Sequence, residues 1–236
     1  MASMASSSPP GPWLDAWLSA PRFATYLAAA GGDRRRAFDL YEWNARVAGA
    51  FFRDLAHLEV ALRNAYDTAI VTHTAPSLPH WTQDPYRLFP VQMRTANDGT
   101  QFDANATARK QLQDAARKIG ANQPPGKTIA ELSFGFWRYL STGARHTPLW
   151  IPYLHHAFTP GTSRPAVDRP VANLHRFRNR IAHHEPLLRW PTATAQPLRD
   201  RYADIITIAG LISSDLRDYL AHTSTVLTTI TSAGLP

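Results

Sequence analysis

A chain of 236 residues with a formal net charge of +7 and a predicted isoelectric point of about 10.0 favours a polyanionic partner such as nucleic acid. Its basic residues are nearly all arginine, whose planar guanidinium suits phosphate, although genomic base composition explains the total charge equally well. Cysteine is absent, which excludes disulfides, thiolate catalysis and zinc sites with cysteine ligands.

The composition predicts one helical domain without a membrane segment. With 44% hydrophobic residues the chain can bury a core. It has no long apolar run and no apolar signal segment, so we expect a cytoplasmic protein. We place the domain at residues 13–222, with a loop-rich insertion at 73–104, a disordered N-terminus at 1–12 and a flexible tail at 223–236. No convincing strand pattern is present.

Two helices are predicted before the insertion. A short one follows Ser19 and ends at Gly31-Gly32. Asp33 then caps the longest predicted helix, which reaches about Thr72 and carries apolar side chains at steps of three and four residues. This second helix is the natural axis of an all-α bundle.

The insertion places aromatic residues between prolines, which indicates a packed excursion or a lid rather than a free linker. A helix is predicted from Asn105 to Ile119, with Arg109 on its exposed side. The stretch Thr128–Glu131 has the form of a capping box for the next helix, which carries Leu132 and Phe136. Further on, the pattern predicts a short apolar helix at Trp150–Phe158.

The densest cluster of ionisable groups lies in another predicted helix, which we call the motif helix. Asp168 is its expected N-cap, Pro170 falls in the first turn, and Pro186 prevents its continuation. Its apolar residues have amphipathic spacing. They are Leu174, Phe177, Ile181 and Ala182. The last predicted helix runs from about Leu198 to Ala221.

On the motif helix, His175, Asn179 and His183 follow one another at intervals of four residues and form a polar column. Arg178 lies five residues before His183, which offsets it by roughly 140° around the helix axis. One helix therefore does not aim Arg178 and His183 at the same point. A composite site, with groups from elsewhere in the chain or from a second copy, is the easier geometry.

The segment from Arg178 to His183, an arginine followed by a polar residue, a short spacer and a histidine, resembles the motif of the HEPN superfamily. The segments Leu40–Asn44, Leu58–Asn64 and Phe134–Trp137 are similar to the Abi-like (abortive-infection) branch of that superfamily. The resemblance spans roughly residues 14–220. It implies an all-α HEPN-like bundle, a homodimer with paired motifs, and a metal-independent endoribonuclease that acts in phage defence.

These residue types suit RNA cleavage through the 2′-hydroxyl. A histidine can act as acid or base near neutral pH, so we assign that role to His183. The fixed charge of Arg178 can clamp the phosphate, and Asn179 can bind a phosphate oxygen or orient the imidazole. The expected products are a 2′,3′-cyclic phosphate and a 5′-hydroxyl, from transfer RNA or messenger RNA, without a cofactor or metal.

Several residues are candidates for supporting roles or for RNA binding. Glu59 and Arg63, with the adjacent Asn64, form either a surface ion pair or, as the resemblance suggests, a contact that holds Arg178 or Asn179. The others are Arg180, His184 and Glu185. His184 and Glu185 either support the site or cap the helix end. Relatives controlled by nucleotidylation have a tyrosine at the position of Glu185, so that form of antitoxin control is not expected here.

Two other functions compete with the ribonuclease. A metal hydrolase would need His155 and His156 together with His183-His184-Glu185, but adjacent histidines point to different faces of a helix. A catalytically inactive HEPN-like module that binds RNA or protein is the stronger alternative. Cleavage that depends on His183 distinguishes the enzyme from the module.

Overall fold

The computed structural model describes residues 11–120, 124–187 and 194–232. Most of these residues belong to helices, which confirms the predicted all-α class. In chain order the elements are α1 (Trp13–Leu18), α2 (Ala20–Ala29), α3 (Arg34–Thr72), α4 (Pro85–Leu88), β1 (Met93–Thr95), β2 (Gln101–Asp103), α5 (Ala106–Ile119), α6 (Pro125–Glu131), α7 (Phe134–Leu140), α8 (Arg164–Ala182), α9 (Gln196–Ile212), α10 (Ser214–Thr223) and α11 (Val226–Thr231). Between α7 and α8 the chain forms short turns at Gly143–Arg145, His146–Trp150 and Leu154–Ala157.

The long helix α3 is the axis of the bundle. The side chain of Asp33 accepts a hydrogen bond from the backbone N–H of Arg36 at 3.0 Å, as expected for an N-cap. One face of α3 is buried along its length. The buried apolar residues on it include Val47, Phe51, Leu55, Leu58, Leu62, Tyr66 and Ile70. The predicted start and end of this helix are confirmed.

Helix α8 runs antiparallel to α3 in the same core. The rings of Phe51 and Phe177 meet edge to face with centroids 4.7 Å apart. Just beyond the C-terminal end of α8, the backbone N–H of Leu187 donates a hydrogen bond to Asn44 Oδ1 on α3 at 2.8 Å. Helix α9 contacts both α3 and α8, so the three helices enclose the main core.

A second, smaller core lies at the N-terminal end of α3. Helices α1 and α2 bury Leu14, Leu18, Phe23 and Tyr26 against it. Helix α1 was not predicted from the sequence, because it has only six residues and too few turns to show a period. Residues 1–10 of the predicted disordered N-terminus lie outside the described residues.

The insertion is packed against the core. The sequence predicts either this packed excursion or a lid. Trp81, Leu88 and Phe89 are buried. The expectation that no strand is present is wrong for β1 and β2, which pair antiparallel. Three residues per strand are too few for alternation to be visible, although the turn at Asp98-Gly99 is typical of hairpins.

Two predictions on either side of the Pro-rich break are wrong. Arg109 lies on the buried side of α5, where it donates to the carbonyl oxygen of Phe89 at 2.8 Å and pairs with Asp103. Thr128 lies inside α6 rather than capping it. Extended backbone at Leu132 ends α6, and α7 begins after Ser133, so the predicted single helix is two.

The motif helix α8 begins earlier than predicted. Its N-cap is Ser163, and Asp168 lies within the first turns, where it accepts a hydrogen bond from Arg164 at 3.0 Å. Pro170 is therefore inside the helix and not in its first turn. Arg164 and Asp168, four residues apart, form an ion pair across the first turn of the helix, an arrangement that stabilises helices by a few tenths of a kcal/mol. The short helix expected at Trp150–Phe158 is a single 3₁₀-helical turn at Leu154–Ala157, and a π-helical turn that starts at His146 ends at Trp150.

The C-terminal part also differs from the prediction. The single helix expected at Leu198–Ala221 is broken at Ser213, whose extended backbone ends α9 and whose side chain caps α10. The predicted flexible tail contains α11, which buries Val226 and Ile230 in the main core. Trp43 Nε1 donates to the carbonyl oxygen of Thr229 at 3.0 Å, which ties α11 to α3. Residues 233–236 lie outside the described part of the chain.

Candidate functional site

The C-terminal end of α8 is closed by a tight turn. The backbone N–H of Glu185 donates to the carbonyl oxygen of Arg180 at 2.9 Å, and that of His184 donates to Ile181 at 3.0 Å. This pair of hydrogen bonds is the Schellman motif, which usually has glycine at the position of His184. His184 instead adopts the left-handed conformation with φ of 54°. A non-glycine residue held in that region carries backbone strain, which is common near functional sites.

The turn presents two imidazoles to solvent. His183, which ends the helix as its C-cap, and His184 are both exposed. Of the predicted polar column, His175 and Asn179 lie together, with 3.4 Å between His175 Nε2 and Asn179 Nδ2. An exposed imidazole at a helix end can exchange protons with a bound ligand without first being uncovered.

Arg178 is half-buried and lies in the field of an acidic residue on α3. Burial raises the pKa of the Glu59 carboxyl, and the positive charges of Arg178 and Arg63 partly oppose that shift. No direct ion pair joins Glu59 to either arginine among the described contacts, so the attraction acts at longer range. The structure thus brings Glu59, Arg63 and Arg178 into one electrostatic cluster, although they belong to distant parts of the chain.

The other two supporting residues on α3 differ from Glu59. Arg63 has a buried Nε with no hydrogen-bond partner in the described part of the chain. Asn64 is exposed, and no described hydrogen bond connects it to α8. The cluster therefore involves Glu59 and Arg63 but does not include Asn64.

Arg180 and Glu185 stabilise the turn. Arg180 Nε lies 3.3 Å from a carboxylate oxygen of Glu185, and its Nη2 donates to the carbonyl oxygen of Pro186. Both contacts fasten the chain just after the helix. These two side chains are thereby engaged in holding the position of His183 and His184.

His175 lies next to the site. The sequence predicts its place in the polar column but indicates no functional role for it. It packs against α7, where a Cβ added to Gly135 would lie 3.2 Å from His175 Nε2. Burial lowers the pKa of His175, and Arg138, Arg178 and Arg176 lower it further. Gly135 is the feature of the sequence that could have predicted this contact, because a close approach of two helices favours a position without a Cβ.

An open groove of about 530 Å³ lies between α3 and α8 beside this turn. The floor of the groove is mainly apolar. Its ionisable rim consists of Arg178, His184 and Glu185. The lining residues are Tyr41, Asn44, Ala45, Ala48, Gly49, Phe52, Arg178, Ile181, Ala182, His184 and Glu185. A ligand in the groove would contact Arg178 and His184 together.

Two other features bear on metal and membrane functions. His156 stacks on His73 with ring centroids 3.6 Å apart, and parallel stacked imidazoles cannot direct their nitrogens at one ion. Within residues 11–120, 124–187 and 194–232, no group of three acidic or histidine side chains is arranged to hold a metal ion. In the same ranges no helix has the length and apolar character needed to cross a membrane.

Comparison with known proteins identifies no relative of this chain. No family model matches it. Neither the curated proteins nor the solved structures give a significant match.

Proposed function

We propose that the protein is a metal-independent endoribonuclease of the HEPN type that cleaves RNA at the end of α8. The observation that carries the proposal is the joint exposure of His183 and His184 beside an open groove whose rim includes Arg178. The resemblance of the segment from Arg178 to His183 to the HEPN motif supports the same activity.

The proposed chemistry uses the nucleophile that RNA itself carries. The 2′-oxygen attacks the adjacent phosphorus, a base removes its proton, and an acid protonates the departing 5′-oxygen as the P–O5′ bond breaks. His183 serves as acid or base, and Arg178 stabilises the charge on the phosphate. Asn179 binds a phosphate oxygen or orients the imidazole. The products are a 2′,3′-cyclic phosphate and a 5′-hydroxyl.

A second copy of the chain completes the proposed site. Arg178 and His183 are offset around the helix axis, and one histidine cannot readily act as base and acid in the same step. A homodimer that pairs the ends of two α8 helices supplies the second imidazole. In the same proposal, the cytoplasmic protein restrains phage infection by cutting transfer or messenger RNA.

The experiment is cleavage of total cellular RNA in EDTA by the wild type, His183→Ala and Arg178→Ala. We expect the wild type to leave cyclic phosphates and each variant to lose about a hundredfold or more in rate, because each removes an acid/base or a phosphate clamp. The exposed His146 and Arg117 supply matched controls, since His146→Ala and Arg117→Ala leave the end of α8 intact.

Each other outcome rejects a part of the proposal. Equal cleavage by all five proteins would show that the motif is not the active site. RNA binding without cleavage by folded, dimeric wild type would favour the catalytically inactive HEPN-like module. Cleavage by the wild type in a parallel reaction with Mg²⁺ and no EDTA, but not in EDTA, would favour a metal hydrolase.

A further inference from the structure

Two tryptophans on α1 are exposed side by side. Trp13 and Trp17 have 57% and 56% of their surface exposed, although large aromatic side chains are usually mostly buried. Helix α1 is held by its other face, since Leu14 is fully buried and Leu18 nearly so. The indoles are therefore an exposed aromatic surface on an anchored helix, a feature that often marks an interaction site.

The indoles are held in place by their neighbours. Trp13 and Trp17 stack with centroids 5.8 Å apart and planes inclined by 19°. Trp17 meets Tyr41 edge to face at 5.8 Å, and Trp13 meets Phe38 in the same way at 6.4 Å. Because these contacts fix the rings before any ligand arrives, a ligand that stacks on them loses less entropy than on mobile side chains.

The aromatic surface is continuous with the groove at the candidate site. Tyr41 contacts Trp17 and also lines the groove that contains Arg178 and His184. Along α3 the groove extends from Tyr41 to Phe52, which is about 17 Å at the rise of an α-helix. A few nucleotides of extended single strand can span that distance.

The charge of Arg178 at the far end of the groove favours a nucleic acid over an apolar protein segment. The contact of Phe177 with Phe51 places Arg178 near the Phe52 end of the groove. His184 and Glu185 line the groove nearer to Tyr41, and the whole chain carries a formal charge of +7. A partner that offers flat aromatic faces at one end and negative charge at the other is single-stranded nucleic acid. A duplex hides its base faces, so it does not fit an aromatic surface of this kind.

We propose that Trp13, Trp17 and Tyr41 form a stacking surface for unpaired bases of a single-stranded RNA whose backbone follows the groove to Arg178. The proposal rests on the proposed ribonuclease function for its choice of RNA. It names the substrate class as unpaired RNA and adds residues outside the motif that bind it.

The test is a binding measurement that does not need cleavage. A fluorescein-labelled, 2′-O-methylated single strand lacks the nucleophile, so its anisotropy reports binding alone. We expect Trp13→Ala and Trp17→Ala each to weaken binding about five- to a hundredfold, the effect of losing one stacked base. Trp17→Phe, which keeps a stacking ring, should retain most of the affinity.

The matched control is Tyr219→Ala, which removes an aromatic side chain that is 47% exposed on α10. It should bind within about twofold of the wild type. Circular dichroism of each variant checks that the fold is kept. The same sequence as a duplex should bind more weakly and be insensitive to the tryptophans.

The outcomes separate this proposal from the proposed function. Wild-type affinity in both tryptophan variants, or no binding by the wild type, would overturn the stacking surface even if cleavage is found. Binding that depends on the tryptophans, without cleavage, would support the surface and reject the ribonuclease. Unchanged RNA affinity with a shift from dimer to monomer in sedimentation would show that the surface joins two copies of the chain instead.

Discussion

At the residue scale, His184 holds the most unusual backbone conformation near the site. Its φ of 54° lies in the left-handed region, whereas His183, one position earlier, has an ordinary φ of −90°. Glycine adopts the left-handed region without a steric penalty, but it weakens a helix end where the backbone is ordinary. The two adjacent histidines should therefore respond in opposite ways to the same substitution.

We predict that His184→Gly raises the free energy of unfolding by about 1 kcal/mol. The matched change His183→Gly should lower it by roughly 0.5–1 kcal/mol, because it adds backbone freedom without relieving strain. Urea denaturation of both variants measures the difference. If both variants are destabilised to the same extent, the left-handed turn at His184 does not exist in solution.

A second residue-scale prediction concerns the carboxyl of Glu59. Its pKa is raised by burial, so folding favours its protonated form. The stability that this proton binding contributes is present at low pH and is lost as the pH rises through the raised pKa. Glu59→Gln removes the buried charge. We therefore expect the stability of Glu59→Gln relative to wild type to increase between about pH 4 and about pH 7.

The measurement is urea denaturation of both proteins at the two pH values. Glu131→Gln serves as the control for loss of a surface carboxylate, one that forms an ion pair with Lys118. A relative stability of Glu59→Gln that falls as the pH rises would mean that attraction to Arg178 and Arg63 outweighs burial. In that event Glu59 would be a net stabilising partner of Arg178 at neutral pH.

At the scale of elements, the contact between α7 and α8 depends on a position without a side chain. A Cβ at Gly135 would lie 3.2 Å from His175 Nε2 and 3.5 Å from Ser133 Oγ. His175 is one turn before Asn179, so a displaced α7 would disturb the polar column of the motif helix. An added Cβ would therefore require His175 to shift by a few tenths of an ångström, which couples the packing of α7 to the site.

We predict that Gly135→Ala destabilises the protein by about 1–3 kcal/mol, because the added methyl group overpacks the contact. Gly126→Ala is the control: its added Cβ meets nothing within 4 Å, so it should be neutral or slightly stabilising. The double variant Gly135→Ala with His175→Ala should recover part of the loss. Equal stability of the two single variants would show that α7 and α8 are not in close contact at Gly135.

At the scale of the whole molecule, the proposed activity requires two copies. Wild type can be mixed with an equal amount of His183→Ala and left to exchange subunits. Half of the wild-type chains then pair with another wild-type chain, and half pair with the variant. If each site uses both imidazoles, we expect the activity of the wild type to fall to about half after subunit exchange. Cleavage assays with sedimentation of the mixture measure this. Activity that is independent of added His183→Ala would place a complete site in one chain.

Local sequence signals were sufficient for elements that are regular and long. Asp33 and the apolar steps after it predicted both ends of α3, and Gly120 marked the end of α5. The Pro186 signal placed the end of the motif helix within a few residues. These signals succeed because capping and amphipathic spacing act over a few neighbouring residues.

Only the tertiary structure decided how distant segments meet. It placed Glu59 in the field of Arg178, packed Gly135 on His175, and joined the tryptophans of α1 to the groove through Tyr41. It also ended α9 at Ser213 and docked α11 against α3. The physical reason is that such contacts depend on which buried faces fit together, and the spacing of residues along the chain does not determine that fit.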